Sequence, residues 1–187
     1  MENIASQIVH WIKTYAKNAR VKGLVIGVSG GVDSAVVSTL CARTGLPTLC
    51  LEMPIHQAEN HVSRTEEHIS FLKAHYPNVR DLRTDLTPVF DQFVAQIPPT
   101  DKSTYEMALA NTRARLRMTT LYYFAGLEGY IVVGTGNKIE DFGVGFYTKY
   151  GDGGVDISPI ADLMKSEVYQ LGKYLQIPQS ILKAKPS

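Results

Sequence analysis

The run from Leu24 to Val28 contains only apolar residues and one glycine, and it leads directly into Ser29-Gly30-Gly31. A short, uninterrupted run of this kind is typical of a strand buried on both faces in a parallel sheet. After the glycines, apolar residues continue at helical spacing to about Arg43, and Gly45 ends the pattern. The sequence therefore predicts a strand, a tight turn and a helix in immediate succession.

Predicted strands and helices alternate along most of the chain. Further strands are predicted at 48–51, 79–82 and 130–133, and helices at 1–20, 57–74, 89–94, 104–125 and 165–175. This alternation predicts an α/β fold, an open parallel sheet with helices on both faces that is Rossmann-like. The glycine-rich stretch 134–154 has little periodicity, and its length predicts a functional or mobile loop.

The composition limits the size and the partners of the protein. Its 187 residues, 44% of them hydrophobic, predict a single domain over 1–187. A formal net charge of +1 gives no basic excess for binding nucleic acid or a membrane surface, so a small-molecule substrate is favoured. The absence of a bilayer-length apolar run and of a signal peptide predicts a cytoplasmic protein. Cys41 and Cys50 lack metal-site spacing, which predicts buried, reduced thiols.

The residues 29–34, Ser-Gly-Gly-Val-Asp-Ser, stand between the predicted strand and the N-terminus of the following helix. Free backbone N–H groups and the helix dipole favour a phosphate there, and the glycines let the backbone approach it. The string lacks the Lys-Ser or Lys-Thr pair of a Walker A loop and the glycine spacing of a dinucleotide fingerprint. It therefore predicts a phosphate loop of another kind, and the alternative is a tight turn with an Asp-Ser cap.

The same string resembles the signature of the ATP pyrophosphatases, which split ATP between its α and β phosphates. Three further segments follow it in order, at 111–118, 134–140 and 146–156. With them, the chain is similar from about Gly23 to its end to the NAD synthetases, a family of adenine nucleotide alpha hydrolase-like fold. The resemblance implies that ATP, with Mg²⁺, adenylates the nicotinate carboxylate of deamido-NAD, and that ammonia then displaces AMP to give NAD.

The resemblance also implies roles for residues at ATP and at the metal. Asp33 and Glu140 match the carboxylates that bind Mg²⁺, a cation that prefers carboxylate and phosphate oxygens. Lys165 matches a lysine that stabilises charge developing on the ATP phosphates, so Asp33 and Lys165 are the candidate catalytic residues. Thr135 follows the fourth strand, at the edge where ligands collect in open α/β sheets. The positions implied for ATP are Gly27, Val28, Ser29, Gly30, Gly31, Val32, Asp33, Ser34, Thr135, Lys165 and Ser187.

Three other positions match residues that hold deamido-NAD in the family. Arg115 carries a side-chain fork suited to a pair of phosphate or carboxylate oxygens. Lys149 supplies positive charge for a phosphate, and Asp156 accepts hydrogen bonds. Arg113 and Arg117 lie two positions on either side of Arg115, and we interpret both as surface or structurally paired residues.

Three histidines follow one another at a spacing of seven, His61, His68 and His75. This spacing places them near one stripe of a helix, with a drift of about 20° per heptad. Successive members are two turns apart, which is too far for one metal ion. We therefore favour a polar helix face over a metal site.

The resemblance implies a homodimer, and the first helix and the helix at 104–125 offer apolar faces for it. No amidase domain precedes the predicted loop, so we expect free ammonia, and not glutamine, to be the nitrogen donor. Members of the family usually continue beyond the Lys-Pro-Ser segment at 185–187. Two other interpretations remain open: a non-catalytic adenine-nucleotide-binding module, and another ATP pyrophosphatase with a different acceptor.

Overall fold

Four parallel strands form a sheet in the order β3-β2-β1-β4. The computed structural model describes residues 1–57, 59–145 and 147–184, without the side chains of 59–61 and 140–142. The strands are β1 (Gly23–Gly27), β2 (Thr48–Glu52), β3 (Val79–Arg83) and β4 (Tyr130–Val133). The helices are α1 (Glu2–Ala19), α2 (Val32–Arg43), α3 (Glu59–His75), α4 (Thr87–Gln96), α5 (Tyr105–Glu128), α6 (Lys165–Tyr174) and α7 (Gln179–Leu182). This architecture confirms the predicted α/β fold with a parallel sheet.

The structure differs from the prediction at helix ends and in the glycine-rich stretch. α4 begins at Thr87, two residues early, because Asp85 Oδ1 accepts a hydrogen bond from Thr87 N at 2.9 Å and Pro88 fits the first turn. Part of the predicted loop winds into a π-helix at Lys138–Gly143. α7 was not predicted, because four residues are too few to show a helical period.

Strands β1 and β4 each contribute to two separate hydrophobic cores. In β1, Leu24 and Ile26 pack in the core that contains α1, α2, α6 and α7, and Val25 packs in the core that contains α4 and α5. In β4, Val133 belongs to the first core and Val132 to the second. Both faces of the sheet are therefore covered by helices, which explains why these strands are apolar throughout.

The two cysteines have the predicted environment. Cys41 and Cys50 are free and buried. Burial raises the pKa of both thiols, to about 12 for Cys50. Both therefore stay protonated and unreactive at neutral pH. No helix within the described ranges is long and apolar enough to span a membrane.

The order in which the chain adds strands to the sheet reverses beside β1. From β1 the chain moves through α2 to β2 and through α3 to β3, and it then crosses through α5 to β4 on the other side of β1. In open α/β sheets, such a reversal of strand order leaves a crevice at the carboxyl ends of the two strands, where ligands bind. The fold thus brings Ser29, which lies just beyond β1, and Thr135, just beyond β4, to the same edge of the sheet.

His68 contradicts the prediction of a polar helix face on α3. The residue is 0% exposed, and its Nε2 lies 2.8 Å from Oγ of Ser38 on α2. Burial lowers the pKa of His68 to about 4, so the ring is neutral at physiological pH. His75 is exposed, and the side chain of His61 lies outside the described residues. The prediction was wrong because α3 packs against α2 at His68, a contact between distant segments that the spacing of the histidines does not reveal.

We expect the burial of His68 to make the fold sensitive to acid below pH 6.5. The unfolded chain binds the proton with a pKa near 6.5 and the folded ring only near 4, so the unfolded state binds more protons in between and the free energy of unfolding decreases as pH falls. Between pH 7 and pH 5 this group alone removes about 2 kcal/mol. Urea unfolding of the native chain and of His68→Gln at both pH values measures this loss, and an equal loss in both proteins would contradict it.

Candidate functional site

The loop at 29–34 is held in shape by its own serines. Gly30 has a φ of 77°, a left-handed conformation that glycine adopts at low cost. Ser34 Oγ donates a hydrogen bond to Gly31 O at 3.0 Å and accepts one from Ser29 N at 3.2 Å. Ser29 Oγ lies 3.2 Å from Ser34 Oγ. These bonds join the two ends of the loop and wrap it around the first turn of α2.

The N-terminal end of α2 is open toward this loop. Gly31 is the N-cap residue, and no side chain among the described residues caps the helix there. The free N–H groups of a first turn, together with the helix dipole, favour an anion. The side chain of Val32 is buried in the core, so this residue can reach a ligand only through its backbone.

Asp33, in the first turn of α2, is held by residues from two distant parts of the chain. Its Oδ1 accepts a hydrogen bond from Nδ2 of Asn137 at 3.0 Å, and its Oδ2 forms an ion pair with Nζ of Lys165. The Asp33 and Lys165 side chains are 17% and 27% exposed, so solvent screens this pair less than a surface pair. The two candidate catalytic residues therefore meet although they are 132 positions apart.

Asn137 is a residue of this site that sequence reasoning missed. It is 0% exposed, and its Oδ1 accepts a hydrogen bond from Ile139 N at 3.1 Å while its Nδ2 binds Asp33. Both ends of the amide are used, which fixes the orientation of the side chain. Its position in the segment 134–140 was the only signal, because a neutral amide has no charge pattern that would mark it.

A cavity of about 480 Å³ lies at the carboxyl edge of the sheet. The residues that line it at the ends of β1 and β4 are Gly27, Val28, Ser29, Val133, Gly134 and Thr135. Met53, Met118 and Leu121 contribute apolar side chains to its wall. A mainly apolar cavity of this size with a few polar groups is suited to a small-molecule ligand. Four of the positions implied for ATP thus lie on its surface.

Gly134 allows the segment around Val155 to pass close to the end of β4. A Cβ atom at position 134 would lie 2.6 Å from Cγ2 of Val155, closer than two carbon atoms can approach. Gly134 N donates a hydrogen bond to Ile157 O at 2.8 Å, and Val133 forms a parallel bridge with Ile157. This segment therefore extends the sheet edge, and Val155 forms part of the cavity wall.

A second group of predicted residues lies where the segment 147–152 meets α5. Arg115 Nε donates a hydrogen bond to the backbone oxygen of Lys149 at 3.0 Å, and both residues are exposed. Thr148 Oγ1 donates to Asn111 Oδ1 at 2.8 Å in the same region. The ammonium of Lys149 stands over the ring of Tyr150, 5.0 Å from its centre. The structure therefore brings Arg115 and Lys149 together as two exposed cations.

Asp156 already has two partners within the chain. Its Oδ2 accepts a hydrogen bond from the buried backbone N of Val132 at 2.7 Å, and its Oδ1 accepts one from the hydroxyl of Tyr122 at 2.9 Å. Burial and the hydrogen bond to Asp156 raise the pKa of Tyr122 to about 12, so this hydroxyl stays a donor. Asp156 thus ties the segment after the loop to both β4 and α5.

Arg113, Arg117 and Glu52 complete the surroundings of the cavity. The guanidinium of Arg113 stands 5.2 Å from the centre of the Phe90 ring, and Arg117 Nε donates to Met53 O at 3.0 Å. Structural pairing is confirmed for both arginines, but Arg117 also lines the cavity. Glu52 lines it as well, and burial raises its pKa. Glu52 was not predicted as a residue of the cavity, because a single polar residue at the end of an apolar strand is common.

Two predicted site residues cannot be placed in this arrangement. The side chain of Glu140 and the whole of Ser187 lie outside the described residues. The remaining predicted residues form two groups, one around the loop 29–34 with Asp33 and Lys165, and one around Arg115 and Lys149. The cavity is lined by Ser29 from the first group and by Ala114 and Asp152, which flank the second.

Known proteins match this chain over nearly its whole length. Residues 4–187 match the sequence model of the family described as NAD synthase. The chain is 36% identical over 193 residues to the NH(3)-dependent NAD(+) synthetase of Carboxydothermus hydrogenoformans, an alignment that covers 100% of this chain and 75% of that protein.

Solved structures are similar in fold as well. The chain superimposes on a structure described as NMN synthetase from Francisella tularensis with a TM-score of 0.89 and 36% identity, covering 100% of this chain and 75% of that one. It superimposes on the NH3-dependent NAD synthetase of Campylobacter jejuni with a TM-score of 0.86 and 32% identity, covering 97% of this chain and 76% of that one. The chain therefore spans about three quarters of the length of these relatives.

We expect Asp156→Ala to lower the free energy of unfolding by about 2 kcal/mol, because the buried N–H of Val132 loses its acceptor. Chemical denaturation measures the change, and Asp101→Ala, which truncates an exposed aspartate, is the matched control. The same stability in both variants would show that Asp156 does not anchor this segment.

Proposed function

This chain belongs to the NAD synthase family, and we propose that its function is the ATP-dependent amidation of deamido-NAD. In this reaction the nicotinate carboxylate is adenylated by ATP, pyrophosphate leaves, and ammonia displaces AMP to form the amide of NAD. The chain is a ligase that forms a C–N bond, and its substrates are ATP, deamido-NAD and ammonia.

The strongest support for the proposed ATP-binding residues is a single observation. Asp33, Asn137 and Lys165 come from three separate segments of the chain, and they meet beside the loop 29–34 at the point where the strand order reverses. A phosphate loop, a carboxylate and a lysine are the groups that the transfer of an adenylyl group from ATP requires. A cavity large enough for a small molecule begins at the same loop, at Ser29.

The chemistry needs positioning and charge stabilisation more than reactive side chains. A carboxylate oxygen of the acceptor attacks the α-phosphorus of ATP, and negative charge develops on the departing pyrophosphate. In this proposal the N–H groups at the start of α2 and the ammonium of Lys165 stabilise that charge. No nucleophilic side chain is required, because the acceptor's own carboxylate forms the new bond to phosphorus.

We propose that Asp33 holds Mg²⁺ together with the phosphates of ATP. Mg²⁺ in such enzymes is bound through one or two carboxylates plus substrate phosphates, and Asp33 presents one carboxylate next to the phosphate loop. Within the described residues there is no cluster of three or more His, Cys, Asp or Glu side chains that would hold the ion alone. Glu140 is the second proposed ligand. When bound, the ion neutralises charge on the phosphates.

We propose that Arg115 and Lys149 hold the acceptor. Both are cationic side chains, and the hydrogen bond from Arg115 to the backbone of Lys149 keeps the segment 147–152 against α5. Such cations suit the phosphate groups of a dinucleotide. We also propose that Asp156 contacts the acceptor: its bonds to Val132 and Tyr122 hold the carboxylate in place, and its oxygens retain lone pairs that can accept a hydrogen bond from the ligand.

A second candidate acceptor is nicotinate mononucleotide. The observation that favours it is the similarity of this chain to a protein described as an NMN synthetase, with 36% identity and a TM-score of 0.89. The two acceptors present the same carboxylate to ATP, and they differ only in the additional adenylate half of the dinucleotide. The residues that handle ATP would serve either reaction, so acceptor choice depends on the region of Arg115 and Lys149.

We propose that the chain works as a cytoplasmic homodimer. α1 exposes Trp11 and Tyr15, whose rings are 6.0 Å apart, and α5 exposes Tyr123 and Leu127 at 63% and 65%. Large apolar side chains that cluster on a surface mark interaction sites. The two free, buried cysteines fit a reducing compartment such as the cytoplasm.

We expect this chain to form NAD from deamido-NAD, ATP, Mg²⁺ and ammonium, with AMP released in equal amount. Chromatography of NAD, AMP and pyrophosphate measures the stoichiometry, and glutamine replaces ammonium in a parallel reaction. A non-catalytic nucleotide-binding module would bind ATP in a calorimeter and release no AMP. With nicotinate mononucleotide as competing acceptor, a larger kcat/KM for the mononucleotide would assign the second function.

We expect Asp33→Asn to reduce kcat by about 100-fold while the protein stays folded, because the variant loses the charge that Mg²⁺ and Lys165 both require. Steady-state rates over a range of Mg²⁺ concentrations measure the effect, with Asp101→Asn as the control for an exposed aspartate. Unchanged turnover would remove Asp33 from the metal site.

A further inference from the structure

The helix α3 contacts the loop 29–34 and the middle of α2 through two side chains that lie one turn apart. Arg64 Nε donates a hydrogen bond to Gly30 O at 3.3 Å. His68, four residues later on the same face, contacts Ser38 on α2 at 2.8 Å. Neither residue was assigned to the site from the sequence. Together they connect one helix to the loop and to the helix turn that follows it.

The contact of Arg64 with Gly30 O affects the direction in which the N–H of Gly31 points. The peptide between Gly30 and Gly31 is trans, so the oxygen of Gly30 and the N–H of Gly31 point in opposite directions. By holding Gly30 O on its own side, Arg64 directs the N–H of Gly31 away from α3. Among the described residues, that N–H makes one long contact of 3.4 Å, with Ser29 Oγ, which an anion can replace.

The contact of His68 reaches the loop through two further hydrogen bonds. Ser38 Oγ lies 2.7 Å from Ser34 O and 3.2 Å from Ala35 O, so its single proton goes to the backbone of the first turn of α2. We therefore assign Ser38 Oγ as the acceptor of a proton on His68 Nε2, which lies 2.8 Å away. Ser34 is also the residue whose hydroxyl binds Ser29 and Gly31 and shapes the loop.

The burial of these groups makes the connection rigid. His68 and Ser38 are both 0% exposed, and Nδ1 of His68 has no hydrogen-bond partner within the described part of the chain. With its only described polar contact made through Nε2, the ring has one favourable orientation. The backbone at Ser34 is therefore held from the side of α3 before any ligand binds.

We propose that Arg64 and His68 are positioning residues that hold the loop 29–34 in the conformation that binds the phosphates of ATP. Neither side chain needs to touch ATP for this role: Arg64 orients the peptide before Gly31, and His68 fixes the turn at Ser34. This inference rests on the proposed function, because it takes the loop to be the ATP phosphate site.

The loop itself can be observed without ATP. With ¹⁵N-labelled glycine, the amide signals of Gly30 and Gly31 report on the ligand-free chain. Arg64→Met keeps the aliphatic stem and removes the donor, so we expect it to shift these signals. Arg80→Met is the matched control, because Arg80 pairs with Glu128 on another part of the protein. Unshifted signals in Arg64→Met would overturn the role of Arg64, even if ATP binding itself were not detected.

Kinetics separate a positioning role from a general loss of stability. We expect Arg64→Met and Ser38→Ala each to raise the KM for ATP about ten-fold, with the KM for the acceptor changed less than two-fold. Thr39→Val is the control for Ser38→Ala, because Thr39 is also a buried residue of α2 that donates to a carbonyl four residues earlier, Ala35 O at 2.7 Å. Equal increases in both KM values, or the same result for Thr39→Val, would overturn the proposal.

Variants of His68 give an independent test. His68→Leu removes the donor to Ser38, and His68→Gln retains an N–H that can replace it. We expect His68→Gln to recover most of the ATP affinity that His68→Leu loses, and His75→Gln on the exposed part of α3 to have no effect. If His68→Leu does not fold, His68→Gln and Ser38→Ala decide the question. The absence of ATP binding in the unmodified chain would contradict the proposed function, and normal ATP binding in all these variants would contradict this inference alone.

Discussion

The ion pair between Asp33 and Lys165 is the interaction on which the geometry of the site depends. It joins the first turn of α2 to the first turn of α6. A lysine at the start of a helix is unfavourable, because the helix dipole is positive there. Asp33 and Glu167, the acidic residue in the first turn of α6, offset this cost. The ion pair thus keeps the ammonium of Lys165 at a helix N-terminus that otherwise disfavours a cation. This position lies next to the proposed phosphate site.

The sequence was sufficient to predict the fold because the strands are buried on both faces. Leu24 to Ile26 and the strand at 130–133 must be apolar throughout when helices cover both sides, and that pattern is visible without a structure. The sheet edge that holds the candidate site also followed from the alternation of strands and helices. Short elements such as α7 and the π-helix escaped prediction, because they contain too few residues to show a period.

Within the candidate site, the residues named from the sequence belong to a motif, and most of the residues missed act only through contacts that the fold creates. Asp33 and Lys165 were predicted, and the structure joins them. Asn137 was missed although it binds Asp33 directly, since a buried amide resembles any other polar residue in a sequence. His68 was misjudged because its neighbours on α3 are polar, and only the packing of α3 on α2 shows that this position is buried. Such residues depend on contacts between distant segments, which spacing along one helix does not reveal.

The two hydrophobic cores have a consequence for how this ligase family can diversify. The proposed phosphate loop leads into α2, which packs in one core, whereas Arg115 belongs to α5, which packs in the other across the sheet. Substitutions that reshape the surface of α5 and the segment 147–152 therefore leave the packing behind the phosphate loop intact. Under the proposed assignment, a lineage can exchange one acceptor for another while it retains the same ATP-binding loop. Proteins described as NAD synthetases and as an NMN synthetase can accordingly share one scaffold at similar identity to this chain.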